Sequence, residues 1–339
     1  MPDAASQERS LGLLVPPSYV KLESIPRKPT LGEIGVEWID SVAFWRDRAR
    51  FLTAIYAAYH LATLAVFVYF FVRHHSISCV LAVMGIGCFI ATVYNTVWYH
   101  RYCSHRAFKF SNRWWAMAFL WTNPVCFREE CYVIPHRLHH SRSDEPGDPY
   151  GPHLGWLGSY LATESQQRIN RDISRADYER LAKSLEHIGF PQNTYERFQR
   201  TGSVETLCHY AARTLFVNLF WPAIAFAIAG WTGALAWIAG VFFYTFLVRD
   251  FNYRGHGGLL GTQLEGTPLN QLFYGIIAGE WHENHHNHPR LARSGLAWWQ
   301  VDLPYWIIRA LSACGAVVHY NAPDDEKAAA RPVAAEPSV

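Results

Sequence analysis

The sequence predicts an all-α membrane protein, with four transmembrane helices in two hairpins and a cytoplasmic helical cap. Three observations predict it. Half of the 339 residues are hydrophobic and only 17% are charged, which excludes low-hydrophobicity disorder over most of the chain. The mean hydropathy is nonetheless close to zero, so apolar and polar stretches are segregated, and a transporter made almost wholly of membrane helices is excluded. Finally, residues 51–72 and 77–98 are consecutive runs without a charged side chain. At roughly 1.5 Å per residue, each is long enough to cross about 30 Å of hydrocarbon.

Taken in order, residues 1–50 read as a cytoplasmic N-terminal segment that lacks the apolar core and small-residue cleavage site of a signal peptide. The runs 51–72 and 77–98 flank the short break from Arg73 to Ser76 and form the first hairpin. A second, shorter pair, within 211–229 and 233–249, turns around Gly230, Trp231, Thr232 and Gly233. The cap comprises residues 100–210 and 250–320. Within it, the apolar stretch from Trp114 to Phe127 is too short to span and suits an interfacial or re-entrant helix. Thr163 to Gly202 is rich in Arg, Asp, Glu and Gln and reads as solvated. Residues 321–339, dominated by Ala, Pro and Glu, read as a disordered tail. The competing architecture, a soluble helical protein with buried hairpins, is disfavoured because the two long uncharged runs exceed ordinary core helices.

Basic residues near the span ends set the orientation. Arg46, Arg48 and Arg50 precede the first span; Arg101, Arg106, Lys109 and Arg113 follow the second; Arg213 precedes the third; Arg249 and Arg254 follow the fourth. Both termini and both polar segments are therefore expected in the cytoplasm. The net charge of +2 leaves no footprint for a polyanion, so no nucleic-acid partner is expected. Seven scattered cysteines without a C-x-x-C pair argue against a disulfide framework or a thiolate zinc site.

The unusual count is histidine, with 17 residues. Three groups lie on the expected cytoplasmic side: His100 with His105; His136, His139 and His140; and His282, His285 and His286. In the second and third groups, spacing i, i+3, i+4 places three imidazoles on one helical face, where three nitrogen donors converge on one point. His100 and His105 lie about 140° apart on an α-helix, which suits a helix end or ligation of two different ions. Imidazole suits Zn, Cu, Fe and Ni. So many imidazoles exceed the needs of one ion, and the cap is therefore expected to hold a histidine-rich dimetal site. His282, Glu283 and His286 also match H-E-x-x-H, the helix signature of a zinc protease, but that reading leaves the first two groups without a role. His60, His74, His75, His187, His209 and His319 read as structural or exposed, whereas His153 and His288 stay ambiguous.

With these residues in place, the chain resembles the membrane-bound fatty acyl desaturase family, in particular its stearoyl-CoA desaturase-like and acyl-lipid branch. The resemblance covers the first hairpin and roughly His100 to Asp302. It extends to Asp144, Asp148, Pro149, His153, Gly155 and Trp156, and to Ser294, Gly295, Leu296 and Trp298 to Asp302. It implies a site of two iron ions held by His100, His105, His136, His139, His140, His256, His282, His285 and His286. His256 enters through the family's N-x-x-x-H element, here Asn252 to His256, in which Asn252 contacts a metal through water. The implied activity is O2-dependent desaturation of a fatty acyl chain, of Δ9 type, with two external electrons. The implied partners are a fatty acyl substrate on CoA, a lipid or a carrier protein, the lipid bilayer, and a separate electron donor such as a ferredoxin or a b-type cytochrome. Hydroxylation, acetylenation or oxidative decarboxylation of an acyl chain at the same site stays open.

Two departures from the family pattern stand out. The third group is preceded by Gly279, Glu280 and Trp281, one residue short of the usual lead. Arg249 and Asp250 sit where uncharged residues are usual; they read as a helix-end ion pair, or as the mark of a polar or shortened substrate.

Overall fold

The computed structural model describes residues 12–19, 28–145, 147–161, 168–258, 268–278 and 280–323. The tail expected over 321–339 lies outside these from residue 324 onward, as do Gly279 and parts of the N-terminal segment and cap. The first helix, α1 (Leu31–Val42), opens on a capping box in which Thr30 and Glu33 satisfy each other's backbone amides. It is followed by α2 (Phe51–Arg73) and by α3, an α-helix over Ile77–Ile90 that continues as a π-helix over Ala91–Ser104.

The cap follows, with β1 (Phe108–Phe110), α4 (Arg113–Thr122), α5 (Glu129–Ser141), α6 (Gly155–Leu161), α7 (Arg175–Leu185) and α8 (Tyr195–Thr201). The long helix α9 (Leu207–Gly255) precedes α10 (Leu272–Ala278), α11 (His282–Asn287), α12 (Leu303–Ala313) and β2 (Val317–Tyr320). The core lies where the second half of α3 meets the cap, around Trp98, Tyr99, Leu120, Leu185, Phe198 and Ile308.

Among the described residues, three helices are long and apolar enough to cross a membrane: Arg48–Arg73, Ile77–Ser104 and Leu207–Gly255. The third is broken by non-helical backbone at Ala229 and Gly230, where φ at glycine is +59°, a conformation that L side chains resist. Trp221 and Trp237 stack across the break with centroids 4.7 Å apart, whereas a continuous helix would separate them by roughly 24 Å. The backbone thus turns sharply at Ala229 and Gly230, and α9 consists of two arms that meet through these rings.

The second arm packs against α3 through glycines. A Cβ on Gly240 would lie 2.4 Å from Ile86 Cγ2, and one on Gly87 would lie 2.6 Å from Phe243 Cδ1. Gly240→Val is expected to destabilise the protein by about 1–3 kcal/mol through overpacking, read as a lower unfolding temperature of the purified protein.

Two expectations change. The fold is mostly rather than wholly helical, because β1 pairs antiparallel with β2, Phe108 opposite Tyr320. Strands this short, separated by most of the chain, leave no periodic pattern. The polar stretch from Thr163 to Gly202, where described, is amphipathic rather than simply solvated: Tyr178, Leu181, Leu185 and Phe198 are buried under it.

Candidate metal centre

The site begins with the π-helix. Its i→i+5 hydrogen bonds, such as the His105 amide donating to the His100 carbonyl at 3.1 Å, make five residues roughly one turn. His100 and His105 therefore lie on one face, their rings edge to face with centroids 4.9 Å apart, and His105 is the C-cap of the helix. Of the two alternatives open from sequence, the helix end is observed, and both rings join one group.

The nine histidines come together in two groups. His100, His105, His136, His140 and His285 form one, and His139, His256, His282 and His286 the other; within each group the ligand atoms all lie within 4.8 Å of one another. The expectation that each H-x-x-H-H triplet converges on one point is corrected. On α5, His136 and His140 are one turn apart and join the five-membered group, while His139, displaced around the helix, faces the four-membered one. On α11 the division is reversed: His282 and His286 face the four-membered group and His285 the five-membered one. Each triplet thus bridges both groups, which fixes their mutual distance through two short helices. His256, at the C-cap of α9, completes the smaller group.

The outer nitrogens are held by a ring of partners. Glu280 holds His100 Nδ1 at 2.7 Å, Asp148 holds His139 Nδ1 at 2.9 Å, Asp144 holds His256 Nδ1 at 2.9 Å, and the Tyr150 hydroxyl holds His136 Nδ1 at 2.6 Å. Asp144 adopts φ of +61°, a left-handed conformation that Asp tolerates better than most residues. An Nδ1–H bound to a carboxylate leaves the Nε2 lone pair pointing inward. Burial pushes the Asp148 carboxyl up to about 7, opposed by His153. It pushes Glu280 up to about 8, opposed by Arg101. Burial also lowers His105 to about 3 and His286 to about 2, helped by neighbouring cations and imidazoles, so these rings are neutral near pH 7.

The inward nitrogens fit a metal. His285 Nε2 faces His100 Nε2 at 2.8 Å and His140 Nε2 at 2.9 Å, and one hydrogen can satisfy only one of these contacts. Among the described residues, the buried Nε2 atoms of His139 and His286 have no hydrogen-bond partner, a cost that a bound cation removes. Neutral nitrogen donors of this kind suit first-row transition metals.

Other residues fall as follows. Asn252 lines the cavity that also exposes His100, His136, His139 and His282. His153 sits with Asp144 and Asp148, outside the nine. Glu283 is exposed and accepts a hydrogen bond from Asn270, so it is not the buried base that a protease helix requires. His288 is exposed. Asp250 pairs with Arg254 at 2.8 Å rather than with Arg249, and accepts hydrogen bonds from Tyr160 and Tyr274. Arg249 lies 3.2 Å from His60 and lines the same cavity as the histidines.

Sequence reasoning assigned no role to Glu280 or Tyr150, although both lie within a few residues of a histidine triplet or the aspartates that follow it. It also missed the role of Asp302, whose carboxylate takes two hydrogen bonds from buried Arg101 at 2.9 and 3.0 Å. That pair ties the first histidine element to the segment before α12.

Comparison with known proteins agrees with this arrangement. Residues 76–322 match the family model described as fatty acid desaturase. Over 244 residues the chain is 26% identical to a probable chloroplastic lipid desaturase of Arabidopsis thaliana, covering 70% of this chain and 62% of that protein. Over 232 residues it is 26% identical to an sn-1 stearoyl-lipid 9-desaturase of Synechocystis, covering 65% and 64%. A hex-5-enoyl-(acyl-carrier protein) acetylenase of Moorena producens is 27% identical over 236 residues, covering 64% and 69%. The matched region spans less than two thirds of the length of the first two relatives. The family model runs through both histidine groups and the carboxylates behind them, and the chain belongs to the fatty acid desaturase family.

Proposed function

We propose that this protein desaturates a fatty acyl chain with O2 at a histidine-held di-iron centre, using two electrons from a separate donor. The observation that carries the reading is the pair of adjoining histidine groups, of five and four, opening into one cavity. Two irons bound there supply the redox chemistry with O2 that removal of hydrogens from adjacent methylene carbons demands; zinc, lacking redox chemistry, does not. Nine histidines would hold the irons, with Asn252 contacting one through water.

The chain's own residues position and shield. Glu280, Asp148, Asp144 and Tyr150 fix ring orientation and keep Nε2 lone pairs directed inward. Tyr132, Phe127, Tyr244, Val248 and Phe251 give the cavity an aromatic and apolar wall beside the histidines, suited to an acyl chain and to exclusion of water.

The relatives named as lipid 9-desaturases favour Δ9-type chemistry on a lipid- or CoA-borne chain. The acetylenase among them favours, as a second reading, a sister oxidation by the same centre. Helix lengths, the sharp turn in α9 and the basic residues at the span ends support four spans with both termini and the site in the cytoplasm. Expression in a host of defined lipid profile, followed by mass spectrometry of its fatty acids, is expected to show a new monoene. An alkyne, hydroxy acid or terminal alkene would replace desaturation by a sister oxidation, and an unchanged profile with metal-loaded protein would contradict both.

A further inference from the structure

We infer that a groove at the first turns of α2 and α9 binds the phosphate of an anionic glycerolipid whose acyl chain runs inward to the histidine centre. The inference rests on the desaturase reading above and names the carrier of its substrate. Phe44, Arg48, Phe51, Leu52, Arg200 and Leu207 line this groove. Phe44, Phe51 and Leu207 are exposed despite being apolar, and Phe51 and Leu207 sit at the heads of helices read as membrane spans.

The charges around the groove are unevenly used. Arg50 is paired with Asp40, Arg168 with Glu37 and Arg171 with Asp47. Among the described residues, Arg48 and Arg200 meet no carboxylate; Arg200 gives its Nε to the Glu196 carbonyl, which leaves its terminal nitrogens for another acceptor. Two guanidinium forks beside an apolar wall match a phosphate diester joined to acyl chains.

The groove also leads somewhere. Leu52 lines both the groove and a second cavity that contains Thr53, Tyr56, Cys126 and Phe127. Tyr56 and Phe127 in turn line the cavity of the histidine centre, their rings 5.3 Å apart, so groove, second cavity and histidine cavity adjoin in series. From Arg48 to Tyr56 the helix rises roughly 12 Å. A phosphate at the groove therefore presents mid-chain carbons, rather than those beside the carboxyl group, to the metals. A soluble acyl carrier also bears phosphate, but the exposed Trp45 beside the apolar wall suits the headgroup level of a bilayer, so a lipid is the source assigned.

The test uses the full-length protein in bilayers of digalactosyldiacylglycerol, which carry no phosphate, doped with phosphatidylglycerol bearing a mid-chain diazirine. Photolysis and peptide mass spectrometry are expected to place label on residues 52–56 and 125–127. Label should fall about tenfold or more in the R48Q/R200Q double variant. In the parent protein, unlabelled phosphatidylglycerol should compete the label away although digalactosyldiacylglycerol, in large excess throughout, does not, a result independent of how the variant folds.

Cavity label that neither the double variant nor competition reduces overturns the inference. So does Arg-dependent cavity label from a diazirine acyl-CoA when phosphatidylglycerol gives none. Labelling requires neither iron nor turnover, so its failure is distinguishable from failure of the desaturase reading.

Discussion

His139→Ala is expected to lower bound metal from about two ions per chain to about one and to reduce turnover about 100-fold or more. His139 is the most committed member of the smaller group: it is 1% exposed, its Nδ1 is held by Asp148, and its Nε2 has no partner among the described residues. Removing it leaves three nitrogen donors in that group and all five in the other, so the loss should be confined to one ion. His319→Ala, at an exposed position on β2, should retain both ions and full turnover. Elemental analysis of the purified variants checks this, and full metal content with full turnover in His139→Ala would remove His139 from the ligand set.

Arg213→Met is expected to destabilise the protein by about 3–5 kcal/mol, because it leaves buried Glu129 without its cation and buried Glu205 with only His209 beside it. Arg213, on α9, donates to Glu129 of α5 at 2.6 Å and to both oxygens of Glu205 at 2.8 Å. All three side chains are essentially inaccessible to solvent. Glu129 also accepts hydrogen bonds from Trp98 of α3 at 3.2 Å and from Asn123, so the network joins two membrane-length helices to the helix that carries the second histidine triplet. The measurement is thermal unfolding of the purified protein. The triple variant E129Q/E205Q/R213M should recover part of the loss, since it removes the stranded charge. An unfolding temperature unchanged by Arg213→Met would show that the ion network contributes nothing net.

Much of the site is legible in the sequence because the bilayer and the α-helix impose fixed lengths. Uncharged runs over 51–72 and 77–98 announce helices that the structure places at Phe51–Arg73 and Ile77–Ser104. The histidine triplets announce ligand faces by their spacing, and His256 enters through the resemblance rather than through any spacing of its own.

What was not legible depends on neighbours distant in sequence or on hydrogen bonding that leaves no compositional trace. The π-helix is one case: nothing in Ala91 to Ser104 distinguishes i→i+5 from i→i+4 bonding, yet that difference brings His100 and His105 to one face. The division of each triplet between two groups is another, since it follows from how α5 and α11 face each other. Asp250 is a third, because its partners Tyr160 and Tyr274 come from α6 and α10.

The central claim is that nine histidines hold two irons in two unequal nitrogen shells. The most direct test is iron quantification with Mössbauer spectroscopy on protein purified from cells grown on 57Fe. The account predicts about two irons per chain and two resolvable, inequivalent signals, one for the five-histidine group and one for the four-histidine group. A single iron per chain, or active protein that contains zinc and no iron, would contradict it.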